Sequence, residues 1–125
     1  MNAKTPAEAV LLLSPDLLFA GKIQAAAGPL GLRVLQETAL PGISRALEEN
    51  AVSVVFLDLN VTWPSISEVM ELLPNGPRPV VVAFGPHVNT LRLEEAKRAG
   101  CDRVLPRSRF VQELPELLKL SRKSD

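Results

Sequence analysis

The chain has 125 residues, 46% of them hydrophobic, and its 14 basic and 14 acidic side chains cancel at neutral pH. This length fits one domain with one core, and the zero net charge excludes a general attraction to nucleic acid or to an anionic membrane. A single cysteine excludes an internal disulfide and a structural zinc site built on thiolates. No apolar cluster reaches the ~20 residues of a membrane-spanning helix and no signal peptide opens the sequence, so we expect a cytoplasmic protein.

Apolar runs alternate with amphipathic segments along the chain, and the first pair lies near the amino end. Five consecutive apolar residues over 9–13 predict a buried strand. The Ser14-Pro15 step predicts the start of a helix, because serine caps free amides and proline fits the first helical position. Gly31 suits the left-handed turn that ends this helix. The buried stripe of the helix is predicted at Phe19, Ile23, Ala26 and Leu30.

The strand predicted over residues 52–60 is the most apolar segment of the chain. A continuous run of valine, phenylalanine and leucine is typical of a central parallel strand that is buried on both faces. The more polar strand before it, over residues 32–37, suits an edge of the sheet. Between these two strands, a helix is predicted from Pro41 to about residue 50.

The second half of the chain continues the alternation. Ser65 and Glu68 have the spacing of a capping box and predict the start of a helix. Gly100 is predicted to end the next-to-last helix. The remaining elements are predicted as a strand over residues 80–84, a loop over 85–89, a helix over 90–99, a strand over 101–105 and a helix over 111–121.

Five strands that alternate with five helices predict a doubly wound α/β fold with a parallel sheet. We expect a single domain over residues 1–125, with its core at about 8–120. In such a sheet, ligands bind outside the carboxyl ends of the strands. Asp58 lies near the end of the predicted central strand, so its carboxylate is expected at this functional edge.

Two segments of the sequence resemble the receiver domain of bacterial response regulators. Asp58-Leu59-Asn60 is similar to the phospho-acceptor aspartate of that family and the two residues after it. Residues 99–108 are similar to the glycine turn, last strand and lysine-proline pair of a receiver, with Arg107 at the lysine position and Ser108 at the proline position. The resemblance covers nearly the whole chain and implies a flavodoxin-like sheet with the strand order 2-1-3-4-5.

The sequence departs from the receiver pattern at the residues that support phosphorylation. Receivers hold Mg²⁺ with two adjacent acidic residues after the first strand, and here Ser14-Pro15 occupies these positions, with Asp16 one place further on. The hydroxyl residue at the end of the fourth strand is replaced by Phe84 or Gly85, and Val104 stands at the position of the aromatic switch residue. The resemblance therefore implies a degenerate receiver, a pseudo-receiver.

Asp58 has two interpretations. As a phospho-acceptor it would need Mg²⁺, for which Asp58 and Asp16 are weak candidate ligands. Otherwise Asp58 is a structural carboxylate that pairs with Arg107 or caps a nearby loop. The guanidinium of Arg107 can bind an oxyanion, and Asp16 has the simpler alternative of stabilising the first turn of a helix through the helix dipole.

Three further side chains carry candidate functions. Trp63 lies in the loop after Asp58 and is predicted either to anchor an interface or to fold over the crevice as a lid. His87 lies in the 85–89 loop, where it either senses pH or binds a partner or a metal, or hydrogen-bonds to the backbone. Cys101 is predicted to be a buried, inert thiol.

These observations predict a receiver-like regulatory or protein-interaction module that acts without phosphorylation, is not an enzyme and needs no cofactor. No phosphate-binding glycine motif, metal-spaced His/Cys set or nucleophile elbow supports an enzyme. Two alternatives fit the same sequence: an orthodox receiver that accepts phosphate on Asp58 with Mg²⁺, and a small-anion sensor that uses Arg107 and the amides of residues 85–89. The partner is expected to be a protein, not a nucleic acid or a membrane. The resemblance also implies a weak, salt-sensitive homodimer through the fourth helix, fifth strand and fifth helix.

Overall fold

The computed structural model describes residues 8–120; the two ends of the predicted domain, residues 1–7 and 121–125, lie outside the described part of the chain. Within residues 8–120 the polypeptide forms a five-stranded parallel sheet with helices on both faces. The strands are β1 (Glu8–Leu13), β2 (Arg33–Gln36), β3 (Ala51–Asp58), β4 (Val80–Gly85) and β5 (Arg103–Pro106). They lie in the order β2-β1-β3-β4-β5, which confirms the predicted doubly wound, flavodoxin-like fold.

Each strand is followed by an α-helix. The helices are α1 (Leu17–Ala27), α2 (Leu40–Glu49), α3 (Ile66–Glu71), α4 (Thr90–Arg98) and α5 (Arg107–Leu118). A capping box at the start of α3 is present as predicted, with the Ser65 side chain accepting a hydrogen bond from the Glu68 amide and the Glu68 side chain accepting one from the Ser65 amide. In the described part of the chain, no helix is both long and apolar enough to span a lipid bilayer.

The central position of β3 follows from its sequence. The strand pairs with β1 on one side and β4 on the other, and its residues from Ser53 to Asp58 are all buried. A strand with helices on both faces has no solvent-exposed side, so both sets of alternating side chains must be apolar. The shorter β2, which is only partly buried, forms one edge of the sheet as predicted.

Side chains of each strand alternate between two hydrophobic cores, one on each face of the sheet. One core lies against α1 and α5, and it includes Phe56 and Phe84 from the sheet. The other core lies against α2, α3 and α4, and it includes Leu57 and Ala83. Asp58 follows Phe56 by two positions, so the carboxylate is on the side of the sheet that α1 and α5 cover.

The start of α5 corrects the sequence prediction. The helix begins at Arg107, directly after β5, whereas the apolar spacing predicted a start near residue 111. The early start brings Phe110 into the core, where its ring is fully buried and stacks on Phe84 with 4.2 Å between the ring centroids. Burial of an aromatic ring is a large stabilising contribution. The apolar spacing that predicted the later start did not include this ring.

Two predictions for α1 were also wrong in detail. The residue that caps the helix is Asp16, whose side chain accepts a hydrogen bond from the Phe19 amide, and not Ser14. Leu30 does not belong to the buried stripe, because it lies in a short 3-10 turn after the helix and is 43% exposed. Gly31 does end this segment, with the left-handed φ of 76° that glycine adopts without strain.

Candidate functional site

Asp58 ends β3 at the carboxyl edge of the sheet and is only 4% exposed. The hydroxyl of Ser14 donates a hydrogen bond to Asp58 Oδ2 at 2.7 Å, and the amide of Asn60 donates one to Oδ1 at 2.9 Å. Both carboxylate oxygens therefore have a hydrogen-bond donor from the protein itself. Such pairing is what allows a carboxylate to be buried without a severe loss of stability.

Ser14 connects the ends of three strands. It follows β1 directly and is fully buried. Its hydroxyl donates to Asp58 and accepts a hydrogen bond from the Asp16 amide at 3.2 Å, while its carbonyl accepts one from the Gln36 side chain at the end of β2 at 2.7 Å. The side chain that was expected to cap α1 is thus part of the Asp58 site, and this role is available only because β1 and β3 are adjacent in the sheet.

Asp16 uses both carboxylate oxygens within the protein. Oδ1 accepts the hydrogen bond from the Phe19 amide that caps α1, and Oδ2 lies 3.2 Å from Arg107 Nη2. An acidic group at a helix amino terminus interacts favourably with the helix dipole. The simpler of the two interpretations of Asp16, as a residue that stabilises the first turn, therefore describes its contacts.

Arg107 is the first residue of α5 and lies against α1. Its guanidinium carbon is 4.2 Å from the centroid of the Phe19 ring, close enough for a cation–π interaction, and its side chain is about one-third exposed. The predicted pairing of Arg107 with Asp58 is wrong, because the ion pair of Arg107 is with Asp16. The other structural interpretation of Asp58 fits the geometry, since the carboxylate accepts a hydrogen bond from the loop that follows it.

The donor set at this edge does not fit the Mg²⁺ site of a receiver. Mg²⁺ is usually held by one or two carboxylates that leave room for waters and phosphate oxygens. Here one oxygen of Asp58 is bonded to the Ser14 hydroxyl, and both oxygens of Asp16 are engaged by the α1 cap and by Arg107. Among residues 8–120, no group of three or more His, Cys, Asp or Glu side chains is arranged to bind a metal ion.

Neither residue at the end of β4 supplies a hydroxyl. Phe84 is the register partner of Asp58, but its side chain is fully buried and packs on the rings of Phe19 and Phe110. Gly85 has no side chain, and a Cβ atom there would lie only 3.1 Å from the Cβ of Leu59. A serine or threonine at this position would therefore require Leu59 to move.

Arg92, on α4, is a residue of this edge that the sequence analysis did not identify. Its Nε donates to the Leu59 carbonyl at 3.2 Å and its Nη2 donates to the Val61 carbonyl at 2.7 Å. A third contact, with Glu95 at 3.0 Å, orients the guanidinium. No local pattern in the sequence indicates that this side chain reaches across to the loop after Asp58.

The remaining candidates all lie in loops, including Cys101, which was predicted to start the last strand and instead lies two residues before β5. The Trp63 side chain is 70% exposed, so it is not packed over Asp58 as a lid would be. His87 is exposed in the loop after β4. Burial, together with the nearby Asp102 carboxylate, raises the pKa of the Cys101 thiol from 9.0 to about 11, against the opposing charge of Arg78. A thiol with this pKa is protonated at neutral pH and is a poor nucleophile.

Some of the groups that a small-anion sensor would need already bond to other groups of the protein. Arg107 is paired with Asp16, and the amide of Asn89 donates to the Pro86 carbonyl at 3.0 Å. Proline at position 86 has no amide proton to contribute. Two of the five residues of the 85–89 loop, Pro86 and Asn89, therefore have no free amide to offer to an anion.

Solved structures with similar folds are receiver domains of response regulators and kinases. A response regulator from Thermotoga maritima matches with a TM-score of 0.68 at 14% identity, over 90% of this chain and 99% of the other. The receiver domain of a sensor histidine kinase from Pseudomonas aeruginosa, with magnesium coordinated in its active-site cleft, matches with a TM-score of 0.66 at 18% identity, over 91% of this chain and 98% of the other.

A third similar structure contains a phosphorylated aspartic acid. It is a response regulator protein from Burkholderia pseudomallei with a phosphorylated aspartic acid, a calcium ion and citrate, with a TM-score of 0.68 at 15% identity over 90% of this chain and 66% of the other. No protein-family model and no curated protein matches the sequence. At these identities the likeness concerns the backbone architecture: this chain has the fold of response-regulator receiver domains.

Proposed function

We propose that this chain is a receiver-like regulatory or protein-interaction module of bacterial signalling, not an enzyme, whose action does not depend on phosphorylation of Asp58. The state of the Asp58 carboxylate carries this proposal. Both of its oxygens accept hydrogen bonds within the protein, from Ser14 and Asn60. Among the described residues, no cationic side chain forms an ion pair with it.

The chemistry of phosphoryl transfer makes this arrangement unfavourable for an acceptor. Catalysis of that reaction consists almost entirely of aligning the phosphoryl group and neutralising its charge with metal ions and cationic side chains. Asp16 lies one place after the positions of a receiver's metal ligands, and Arg107 stands at the position of its lysine. These two charged side chains form an ion pair with each other instead. Ser14 stands where receivers have an acidic metal ligand, and its hydroxyl is hydrogen-bonded to one of the two carboxylate oxygens of Asp58.

The loop after Asp58 is also held in one conformation by α4. A switch needs an element with two arrangements of similar energy, one of which the signal favours. Arg92 bonds the carbonyls of Leu59 and Val61 to α4, and the Leu59 amide donates to the Phe84 carbonyl at 2.8 Å. These contacts support a constant recognition surface at the carboxyl edge, on which Trp63 is exposed.

Incubation with acetyl phosphate and Mg²⁺ tests the proposal directly. Intact-mass measurement should show no phosphoryl adduct, whereas a receiver with the complete acidic pair, treated in parallel, should be modified. Removal of a single donor at such a site typically lowers a rate about 10²-fold or more. Loss of both the metal ligands and the hydroxyl donor should therefore make the reaction undetectable.

The Asp58→Asn variant is the control for this measurement. Asparagine preserves the size of the side chain and can still accept a hydrogen bond from Ser14 or Asn60, so the variant should fold. An adduct that forms on the natural chain and is lost in Asp58→Asn would refute the proposal and establish the orthodox receiver. An adduct that persists in the variant would identify modification at another residue.

A further inference from the structure

A cavity of about 250 Å³ lies between α1 and α5, beside the ion pair of Asp16 and Arg107. Leu18 and Lys22 are four positions apart on α1, and Arg107 and Val111 have the same spacing on α5. Each helix therefore directs one apolar and one cationic side chain to the same space. We refer to this space as the α1–α5 cavity, and its lining residues are Asp16, Leu18, Phe19, Lys22, Arg107 and Val111.

The charges that line the α1–α5 cavity do not cancel. Lys22 and Arg107 are basic, and Asp16 is the single acidic side chain among the described residues that line the space. Arg107 pairs with Asp16 through one contact, between Nη2 and Oδ2 at 3.2 Å. The exposed Lys22 forms no ion pair within residues 8–120. The lining therefore has one uncompensated positive charge, which favours an anionic ligand.

The guanidinium of Arg107 is held in place while most of its donors stay available. Its central carbon lies 4.2 Å from the centroid of the Phe19 ring, and this contact fixes the plane of the group. Within the described part of the chain its side chain makes one hydrogen bond, to Asp16, whereas a guanidinium has N–H donors on all three of its nitrogens. Because the group is already oriented, a carboxylate can bind to it with little loss of conformational entropy.

Leu18 and Val111 give the α1–α5 cavity an apolar part. Their side chains are 89% and 37% exposed, so both lose contact with water when a ligand enters. The cavity volume is slightly below the ~300–1,000 Å³ of pockets for drug-sized molecules, which indicates a smaller ligand. An inorganic anion would leave both apolar side chains in water, whereas an anion on a short apolar body would cover them.

We infer that the α1–α5 cavity binds a small carboxylic acid with an apolar body. The carboxylate contacts the cationic groups of Lys22 and Arg107, and the body covers Leu18 and Val111. The inference goes beyond the proposed function and is independent of it, because Asp58 does not line the cavity. Such a ligand would give a signalling module an input other than phosphorylation.

Matched compounds test the charge and the apolar body of the ligand separately. Hexanoate has both, acetate has the charge alone, 1-hexanol has the body alone, and hexylammonium has the body with the opposite charge. In NMR titrations of the full chain, hexanoate should shift the amide resonances at the starts of α1 and α5 until they saturate. The other three compounds should shift them far less at the same concentration. From acetate through butanoate to hexanoate, the affinity should rise by up to about fourfold for each methylene group that the cavity buries.

Lys22→Glu reverses one charge of the α1–α5 cavity and should not disturb folding, because this side chain is exposed. The variant should lose the saturable binding of hexanoate. Lys119→Glu is the matched control, since it makes the same change at an exposed lysine at the other end of α5, about 18 Å along the helix from Arg107. The control variant should bind hexanoate as the natural chain does.

Each contrary outcome would overturn the inference. Amide shifts that never saturate, or that lie away from α1 and α5, would do so. So would acetate or 1-hexanol binding as tightly as hexanoate, or equal losses of binding in Lys22→Glu and Lys119→Glu. The titration contains no phosphoryl donor, so a phosphoryl adduct on Asp58 in the acetyl phosphate test would refute the proposed function and leave the ligand site to be judged by the NMR titration.

Discussion

The Asp58 site lies at the same edge of the sheet as a set of exposed apolar side chains of opposite character, which we call the apolar rim: Leu17, Leu18, Trp63, Val88 and Leu91. At the site, polar groups that could do chemistry are bonded to one another: Asp58 to Ser14, both of them buried, and Asp16 to Arg107, both of them partly exposed. On the rim, large apolar side chains such as Trp63 extend into solvent. An edge that receives phosphate needs the reverse arrangement, with accessible charged ligands around the acceptor.

Under the proposed function, this difference allows a receiver fold to recognise a partner without accepting phosphate. Serine at position 14 makes the buried carboxylate stable without a metal, because the hydroxyl supplies the hydrogen bond that Asp58 requires. The loops of the same edge are positioned by the strand order, and under the proposed function they serve recognition. Substitutions that add charge to the Asp58 site, or that remove apolar surface from the rim, should therefore change the free energy of unfolding or the strength of association.

The largest effect is expected for Ser14→Asp, which places a second carboxylate against buried Asp58. Without Mg²⁺ the free energy of unfolding should fall by about 3 kcal/mol or more, as for an uncompensated buried charge. Two carboxylates in contact repel each other when both are charged, so the loss should be greatest near neutral pH and should diminish in acid, where one of them binds a proton. Urea denaturation across this pH range measures both effects.

Repeating the Ser14→Asp measurement in the presence of Mg²⁺ tests whether the variant binds the metal. A cation bound at one hundred times its dissociation constant adds about 2.7 kcal/mol of stability, so Mg²⁺ should stabilise Ser14→Asp and leave the natural chain unchanged. Ser14→Asn controls for size without adding charge. If Mg²⁺ stabilises the natural chain as well, the conclusion that the native donor set does not fit the metal is wrong.

An intermediate effect is expected for Arg92→Ala. This change removes the donors to the carbonyls of Leu59 and Val61, and loss of hydrogen bonds from a charged group typically costs about 1–3 kcal/mol. Hydrogen exchange should increase in the loop after Asp58 more than elsewhere. Arg98→Ala, on the exposed side of the same helix, should change stability by less than ~0.5 kcal/mol. Equal effects of the two variants would contradict the role assigned to Arg92.

The smallest effect on stability is expected for Trp63→Ala. A side chain that is 70% exposed contributes little to the folded monomer, so the free energy of unfolding should change by less than ~0.5 kcal/mol. Sedimentation should nevertheless show weaker association with a partner or with a second copy of the chain. A loss of several kcal/mol in a monomeric sample would mean that the indole packs over the crevice as a lid.

The sequence by itself determined the fold and most of its elements. The apolar run of β3 leaves no polar face, so the strand has to be central. The spacing of Ser65 and Glu68 specifies the start of α3, because both partners of the capping box lie within one helical turn. These features depend on near neighbours in the chain, which a periodicity or a cap expresses directly.

Only the tertiary structure decided which partners the site residues have. Ser14 and Asp58 are 44 positions apart, and Asp16 and Arg107 are 91 apart. Whether Arg107 reaches Asp58 or Asp16 depends on where α5 begins and how it packs on α1, which the burial of Phe110 determines. A periodic pattern records which face of an element is buried, and it carries no information about which polar groups meet when two such elements pack together.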